Sequence, residues 1–216
     1  MGMNQIKVEL VDHMGSDLST VNSARVSFDK EVESVEVRDE KLIKYLADHK
    51  HMTPFRHNQI QVRCHAPIFL ARQLGKHQAG LSWNEVSRRY VDSEPEFFTP
   101  EEWRGRPAGS IKQGSTDLAE DVSEEVSWVY RDILSNLEQR YKQLLGAGVA
   151  PEMARMVLPQ SMMTSWYWTG NLLAFAHVYK ERIAEGAQLE AQHFAKELDK
   201  VIRPLFPVSW SALVGA

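Results

Sequence analysis

One cysteine, Cys64, stands among 216 residues. A disulfide framework within the chain is thereby excluded, and so is a CxxC metal site. The expectation is a reducing, cytoplasmic setting. No apolar run approaches the roughly 20 residues of a membrane helix, so no membrane partner is expected. Cationic residues are not in excess: 25 Lys and Arg face 29 Asp and Glu, for a net charge of −4. Such a balance gives no global basic field and argues against nucleic acid as a partner, although a local cationic pocket remains open. The stretch Met1-Gly2-Met3-Asn4-Gln5-Ile6 lacks the apolar core of a signal peptide and the hydroxyl that myristoylation favours. No glycine loop of the Walker or dinucleotide type occurs. His49, His51 and His57 lie near one another but lack a Cys, Asp or Glu partner at metal spacing, so no metal site is expected.

What remains describes an ordinary soluble domain, with 43% hydrophobic and 25% charged residues, long enough for a substantial core. Alternation predicts a strand over residues 5–13 and another over 58–65, the second with Ile60, Val62 and Cys64 on its buried side. On that side Cys64 reads as core, not as a nucleophile. Three- and four-residue spacing predicts helices over 17–26, 38–49 and 118–145, the last running roughly 40 Å. Further helices are expected from Pro67, over 151–158, over 161–184 and over 187–203, where Pro204 ends the last. Gly, Ser and Pro crowd residues 93–115, which read as a surface loop. The fold class is α+β: one helix-dominated domain over 1–216 with a small, mostly antiparallel sheet.

Polar chemistry gathers between residues 72 and 90. On a helix from Pro67, Gln73, Lys76 and His77 would share a face. That face is either solvated or the wall of a pocket presenting an amide, an ammonium and an imidazole. Glu85, Ser87 and Arg89 alternate, so in an extended segment they would point one way. The result is either a salt-bridge patch or a phosphate grip in which guanidinium binds bidentately. Arg155 sits in the apolar run Met153-Ala154-Arg155-Met156-Val157-Leu158. Arg182 follows Asn171 by eleven residues, which returns it to within roughly 20° of the same helix face. A buried arginine needs a partner, either a carboxylate of the protein or an acidic ligand atom.

These stretches resemble the signature of the flavin-dependent thymidylate synthases. The likeness lies in Ala66-Pro-Ile-Phe-Leu-Ala-Arg-Gln, then Lys-His-Gln, then Asn84-Glu-Val-Ser-Arg-Arg-Tyr90. Ala24-Arg-Val-Ser-Phe28, His51-x-Thr-Pro-Phe, Ala154-Arg-x-Val-Leu-Pro159 and Trp168-Thr-x-Asn171 extend it. The resemblance implies reductive methylation of dUMP to dTMP. Methylenetetrahydrofolate would be the carbon donor, FADH2 the hydride donor and NADPH the reductant of the flavin. It also implies a homotetramer with active sites at subunit junctions. Position by position, dUMP would meet Gln73, Lys76, Glu85, Val86, Ser87, Arg88, Arg89, Arg155 and Arg182. FAD would meet Thr53, Lys76, His77, Gln78, Glu85, Asn171 and His177, with Gln188 as a further candidate. Arg182 would favour ionisation at uracil N3, Ser87 would orient the substrate, and His51 would sit on the path of folate or nicotinamide.

Four departures from the family pattern bear on the flavin side. The usual Arg-His-Arg triplet reads Lys76-His77-Gln78, which lacks both planar forks. The spacer to Ser87 holds eight residues, not seven. Leu173 replaces an arginine and Gly186 a histidine. Arg56, where many relatives have an acid, is expected to restore part of the lost charge. The alternative reading is a nucleotide- and flavin-binding regulatory module without turnover.

Overall fold

The computed structural model of the protein describes residues 3–107 and 114–215. Strand β1 (Lys7–Met14) leads into helices α1 (Asp17–Arg25) and α2 (Val37–Asp48). Strand β2 (Gln59–Pro67) follows, then a short helix α3 (Ile68–Leu74) and strand β3 (Leu81–Glu85). A two-residue pair, β4 (Arg104–Gly105) with β5 (Thr116–Asp117), precedes the long helix α4 (Glu120–Gly146). Helix α5 (Pro151–Ala154), strand β6 (Met163–Asn171) and helices α6 (Leu172–Ile183), α7 (Leu189–Ile202) and α8 (Pro207–Val214) complete the order.

The main sheet is antiparallel throughout, in the order β1-β2-β6-β3. Period-two alternation decides which face is core. Ile60, Val62, Cys64 and Ala66 of β2 are buried, and so are Thr164, Trp166, Trp168 and Gly170 of β6. The register sets Val62 beside Trp168 and Cys64 beside Trp166. Helices α6 and α7 cover this face: Trp166 stacks on Phe194 at 6.1 Å, and Trp168 meets Phe175 edge-on at 5.5 Å. Each such pair adds about 0.5–1.5 kcal/mol beyond simple burial. The opposite face is polar, with Gln61 donating to Thr169 at 2.9 Å and His65 paired with Ser165 at 2.8 Å.

Helix ends tie distant parts of the chain together. Ser16 caps α1 in a reciprocal box with Ser19. The buried carboxylate of Asp17 accepts from the Val208 and Ser209 amides at 2.9 and 2.8 Å, and so caps α8 from the other end of the sequence.

Several sequence expectations require correction. Residues 161–184 are not one helix: 163–171 form β6, and α6 begins at Leu172. The alternation of Trp166 and Trp168 inward with Tyr167 46% exposed is strand-like, and paired backbone on both sides outweighs the apolar density that suggested helix. A further helix, α8, follows Pro204. The segment 93–115 is not simply surface: Pro95 and Phe98 are buried, and Phe97 bridges Met162. Residues 108–113 of that segment lie outside the described residues. Helix α4 buries Leu134 and Tyr141 but leaves Val122, Val129 and Ile133 at 40–48% exposure.

Candidate active site

A cleft of about 640 Å³ opens where α3 ends and β3 begins. Arg72, Lys76, His77, Gln78, Trp83 and Glu85 supply its polar and aromatic lining. Helix α3 stops because Gly75 closes its last turn, its amide reaching Ala71 O at 2.8 Å. His77 donates its own amide to Leu74 O at 3.0 Å, so the turn after the helix is fixed by backbone. The chain then enters β3 through Gly80, at φ +75°. A Cβ there would stand 2.6 Å from Asn171 Nδ2, and one on Gly170 would stand 2.6 Å from Gly80 O. Two missing side chains therefore let the loop lie against the start of α6. Asn171 completes the junction, accepting from the Ala174 amide at 2.9 Å as the N-cap of α6.

Electrostatics divide the cleft. Arg72 and Lys76 bring two cations against the one carboxylate of Glu85. Glu85 is held twice: Thr164 Oγ1 donates to Oε1 at 2.8 Å, and Trp83 Nε1 donates to Oε2 at 3.2 Å. The Trp83 ring stacks on Trp166 at 4.2 Å, which anchors a flat aromatic wall to the core. His77 Nε2 lies 3.0 Å from Arg182 Nε and 2.9 Å from Arg182 Nη2. Burial, then the Arg182 charge, hold the imidazole below its usual pKa; Glu181 opposes and His177 adds to the depression. Such a cleft suits an anionic ligand with a flat, polar ring. Among the described residues no cluster of His, Cys, Asp and Glu could hold a metal, and no helix is long and apolar enough to cross a membrane.

A family model described as thymidylate synthase complementing protein matches residues 9–208. The chain belongs to the flavin-dependent thymidylate synthase family. It is 38% identical over 209 residues to the flavin-dependent thymidylate synthase of Kosmotoga olearia, covering 96% of this chain and 90% of the relative. It is also 38% identical over 205 residues to that of Thermus thermophilus, covering 95% and 74%. Among solved structures, a UMP/dUMP methylase PolB from Streptomyces cacaoi bound with 5-Br UMP superposes with a TM-score of 0.85 at 30% identity, over 97% of this chain and 93% of that one.

Against the pattern of the flavin-dependent thymidylate synthases, the predicted residues fall into groups. Lys76, His77, Gln78 and Glu85 line the cleft, and Asn171 underlies it through Gly80. Arg182 reaches it through His77. Thr53 and His177 are exposed and do not line it; Arg56 is likewise exposed, on the 3₁₀ turn Thr53–Arg56. The shared helix face expected of Gln73, Lys76 and His77 does not form, because α3 ends at Leu74. Gln73 instead donates to Gln188 Oε1 at 2.7 Å. Nor do Glu85, Ser87 and Arg89 share a strand face. Strand β3 ends at Glu85, and Ser87 opens a turn in which its carbonyl accepts from Tyr90 and its hydroxyl from Arg89 Nε at 3.2 Å. Val86 is exposed there, and Arg88 donates to the carbonyls of Ser93 and Glu94. Arg155 is exposed, in the 3₁₀ turn after α5, donating to Glu152 O at 3.2 Å; the short helix turns it away from the core. Leu173 is buried in α6, so it belongs to the core. Cys64 is wholly buried, as expected, and burial pushes its thiol well above the usual value. Arg72, Trp83 and Thr164 carry parts of the site for which residue spacing gives no role. In a helix over 161–184 Thr164 would have no place beside Glu85; its position in an alternating run is the sequence signal for one.

Proposed function

We propose that this protein methylates dUMP reductively to dTMP, with methylenetetrahydrofolate as carbon donor and reduced FAD, renewed by NADPH, as hydride donor. The observation that carries the reading is the cationic cleft with a neutral histidine, an indole wall and an adjoining Asn84–Tyr90 turn, in a chain whose cysteine is sealed from solvent. A buried thiol held above its usual pKa is no nucleophile, so the pyrimidine ring must be activated by other means.

The donor set fits a flavin: an ammonium, a primary amide, a ring N–H on His77 and the face of Trp83, with Gly80 and Gly170 keeping side chains out of the loop beneath. Lys76, His77, Gln78, Glu85 and Asn171 would hold it, joined by Thr53 and His177. When bound, the flavin supplies the hydride. The chain's own residues bind and orient the nucleotide. Arg89 and Arg155 are free to take its phosphate, since neither is committed to a carboxylate among the described residues. Gln73, Lys76, Val86 and Arg88 would complete the dUMP site. Ser87 orients, and the Arg182 guanidinium stabilises negative charge at uracil N3, which raises electron density at C5.

Arg155 and Arg89 do not line the cleft of their own chain. Together with the open apolar stripe of α4, this supports a homotetramer in which copies complete one another's sites. Residues 1–216 would act as one domain, in the cytoplasm. Release of tritium from C5-labelled dUMP, dependent on methylenetetrahydrofolate, NADPH and FAD, tests the reading. No release from folded, flavin-loaded protein would favour the regulatory module.

A further inference from the structure

Arg182 has an unusual partner. Its Nε and Nη2 both point at one atom, His77 Nε2, at 3.0 and 2.9 Å. Both are N–H donors, so Nε2 must present its lone pair and the ring proton must sit on Nδ1. Carboxylates were available nearby in sequence, at Glu181 and Glu185, yet among the described residues Arg182 forms no ion pair with either. The choice has a physical consequence. A carboxylate would orient the guanidinium but cancel its charge. A neutral imidazole orients it and leaves the full positive charge for an incoming anion.

We infer that His77 is a positioning residue for Arg182: its bare Nε2 holds the guanidinium in place without neutralising it, and the nucleotide site is competent only while that imidazole is uncharged. The inference rests on the dUMP reading above and assigns to His77 a task separate from contact with the flavin. Both members of the pair are anchored by helix ends. His77 is tied by its amide to Leu74 O at the close of α3, and Arg182 lies in the last turn of α6. The contact therefore fixes two elements 105 residues apart in sequence at the mouth of one cleft.

The charged and titratable groups around His77 are Arg182, Glu181 and His177 from α6, and Arg72, Lys76 and Glu85 from the cleft. Burial and Arg182 together keep its pKa below 6.5, so the ring is neutral at pH 7. As pH falls through that lowered value, an imidazolium forms against a guanidinium, and Arg182 must leave.

The test compares dUMP affinity of flavin-loaded wild type and variants between pH 7.5 and 5. His77→Gln supplies a neutral acceptor that does not titrate. Whatever its affinity at pH 7.5, it should lack the additional acid loss between pH 7.5 and 5, about tenfold, that wild type shows. Protonation of the dUMP phosphate affects both proteins alike and cancels in the comparison. His77→Glu, which orients but discharges, should weaken binding at pH 7.5 by about tenfold or more. In protein labelled with nitrogen-15 at histidine, Nε2 should resonate as a bare ring nitrogen, and Arg182→Gln should raise the His77 pKa. Identical pH profiles in wild type and His77→Gln, or a proton on Nε2, would overturn the inference. If no protein binds dUMP at any pH, the substrate reading fails instead, and the nitrogen-15 result still decides the His77–Arg182 pairing.

Discussion

Thr164 donates its hydroxyl to Glu85 Oε1 at 2.8 Å, from a buried position on the central strand to a carboxylate at the end of the edge strand. The bond sets the direction in which Glu85 faces the cleft, while Trp83 holds the other oxygen. Thr164→Val keeps the shape and removes the donor. It should lower kcat/KM for dUMP about fivefold, equivalent to about 1 kcal/mol, with Thr164→Ser restoring most of the loss. Steady-state kinetics on the three proteins check this. Equal values for wild type and Thr164→Val would remove Glu85 orientation from the mechanism.

Gly80→Ala is expected to strike the flavin side. The residue is at φ +75°, and its new methyl would press on Asn171 Nδ2 at 2.6 Å. Left-handed backbone alone costs a non-glycine residue about 1–2 kcal/mol. The variant should melt lower and bind FAD at least about tenfold more weakly, because relief of the clash lifts the loop carrying His77 and Gln78. Fluorescence titration with FAD gives the second number directly.

Cys64 should be silent towards thiol reagents in the native protein at pH 8 and react fully once unfolded, since burial both blocks access and raises its pKa. Cys64→Ala should cost about 1 kcal/mol of stability through lost packing and leave turnover near wild type. Loss of turnover in a folded Cys64→Ala protein would mean that the thiol takes part after all.

Asp39, which does not line the cleft, provides an acid-sensitive contact. Burial acts to raise its pKa, but the Glu36 amide at 3.0 Å and the Arg25 guanidinium outweigh that and hold it below 3.8. A depressed folded value contributes stability above the unfolded pKa, and that contribution disappears as pH falls through the folded value. Asp39→Asn should therefore flatten the decline of Tm below about pH 4. Melting curves from pH 2 to 7 would show it, and parallel declines in both proteins would refute it.

Much of the fold was legible because local signals agreed with the final packing. Ile60, Val62 and Cys64 alternate in sequence and line one sheet face, and the helices expected over 17–26 and 38–49 form as α1 and α2 to within a residue at each end. The bulky residues of β6 are dense enough to satisfy a helical count; their alternation is the local signal for a strand, and pairing with both β2 and β3 outweighs the helical count. In the site, the types of side chain were readable but their directions were not. Three-residue spacing from Gln73 to Lys76 means a shared face only if the helix continues, and Gly75 ends it. The His77–Arg182 contact joins residues 105 apart and has no local trace.

The order β1-β2-β6-β3 also constrains how the molecule comes into being. Gln61 bonds Thr169 across 108 residues, so the two middle strands cannot meet until most of the chain has been synthesised. Among the described residues, strand β3 pairs with β6 alone and must wait as well. The cleft, built on the β3–β6 edge, is thus among the last parts to exist on the ribosome. Until β6 emerges, β2 and β3 carry unpaired edges and apolar side chains, and this window is when the nascent chain most needs protection from its neighbours.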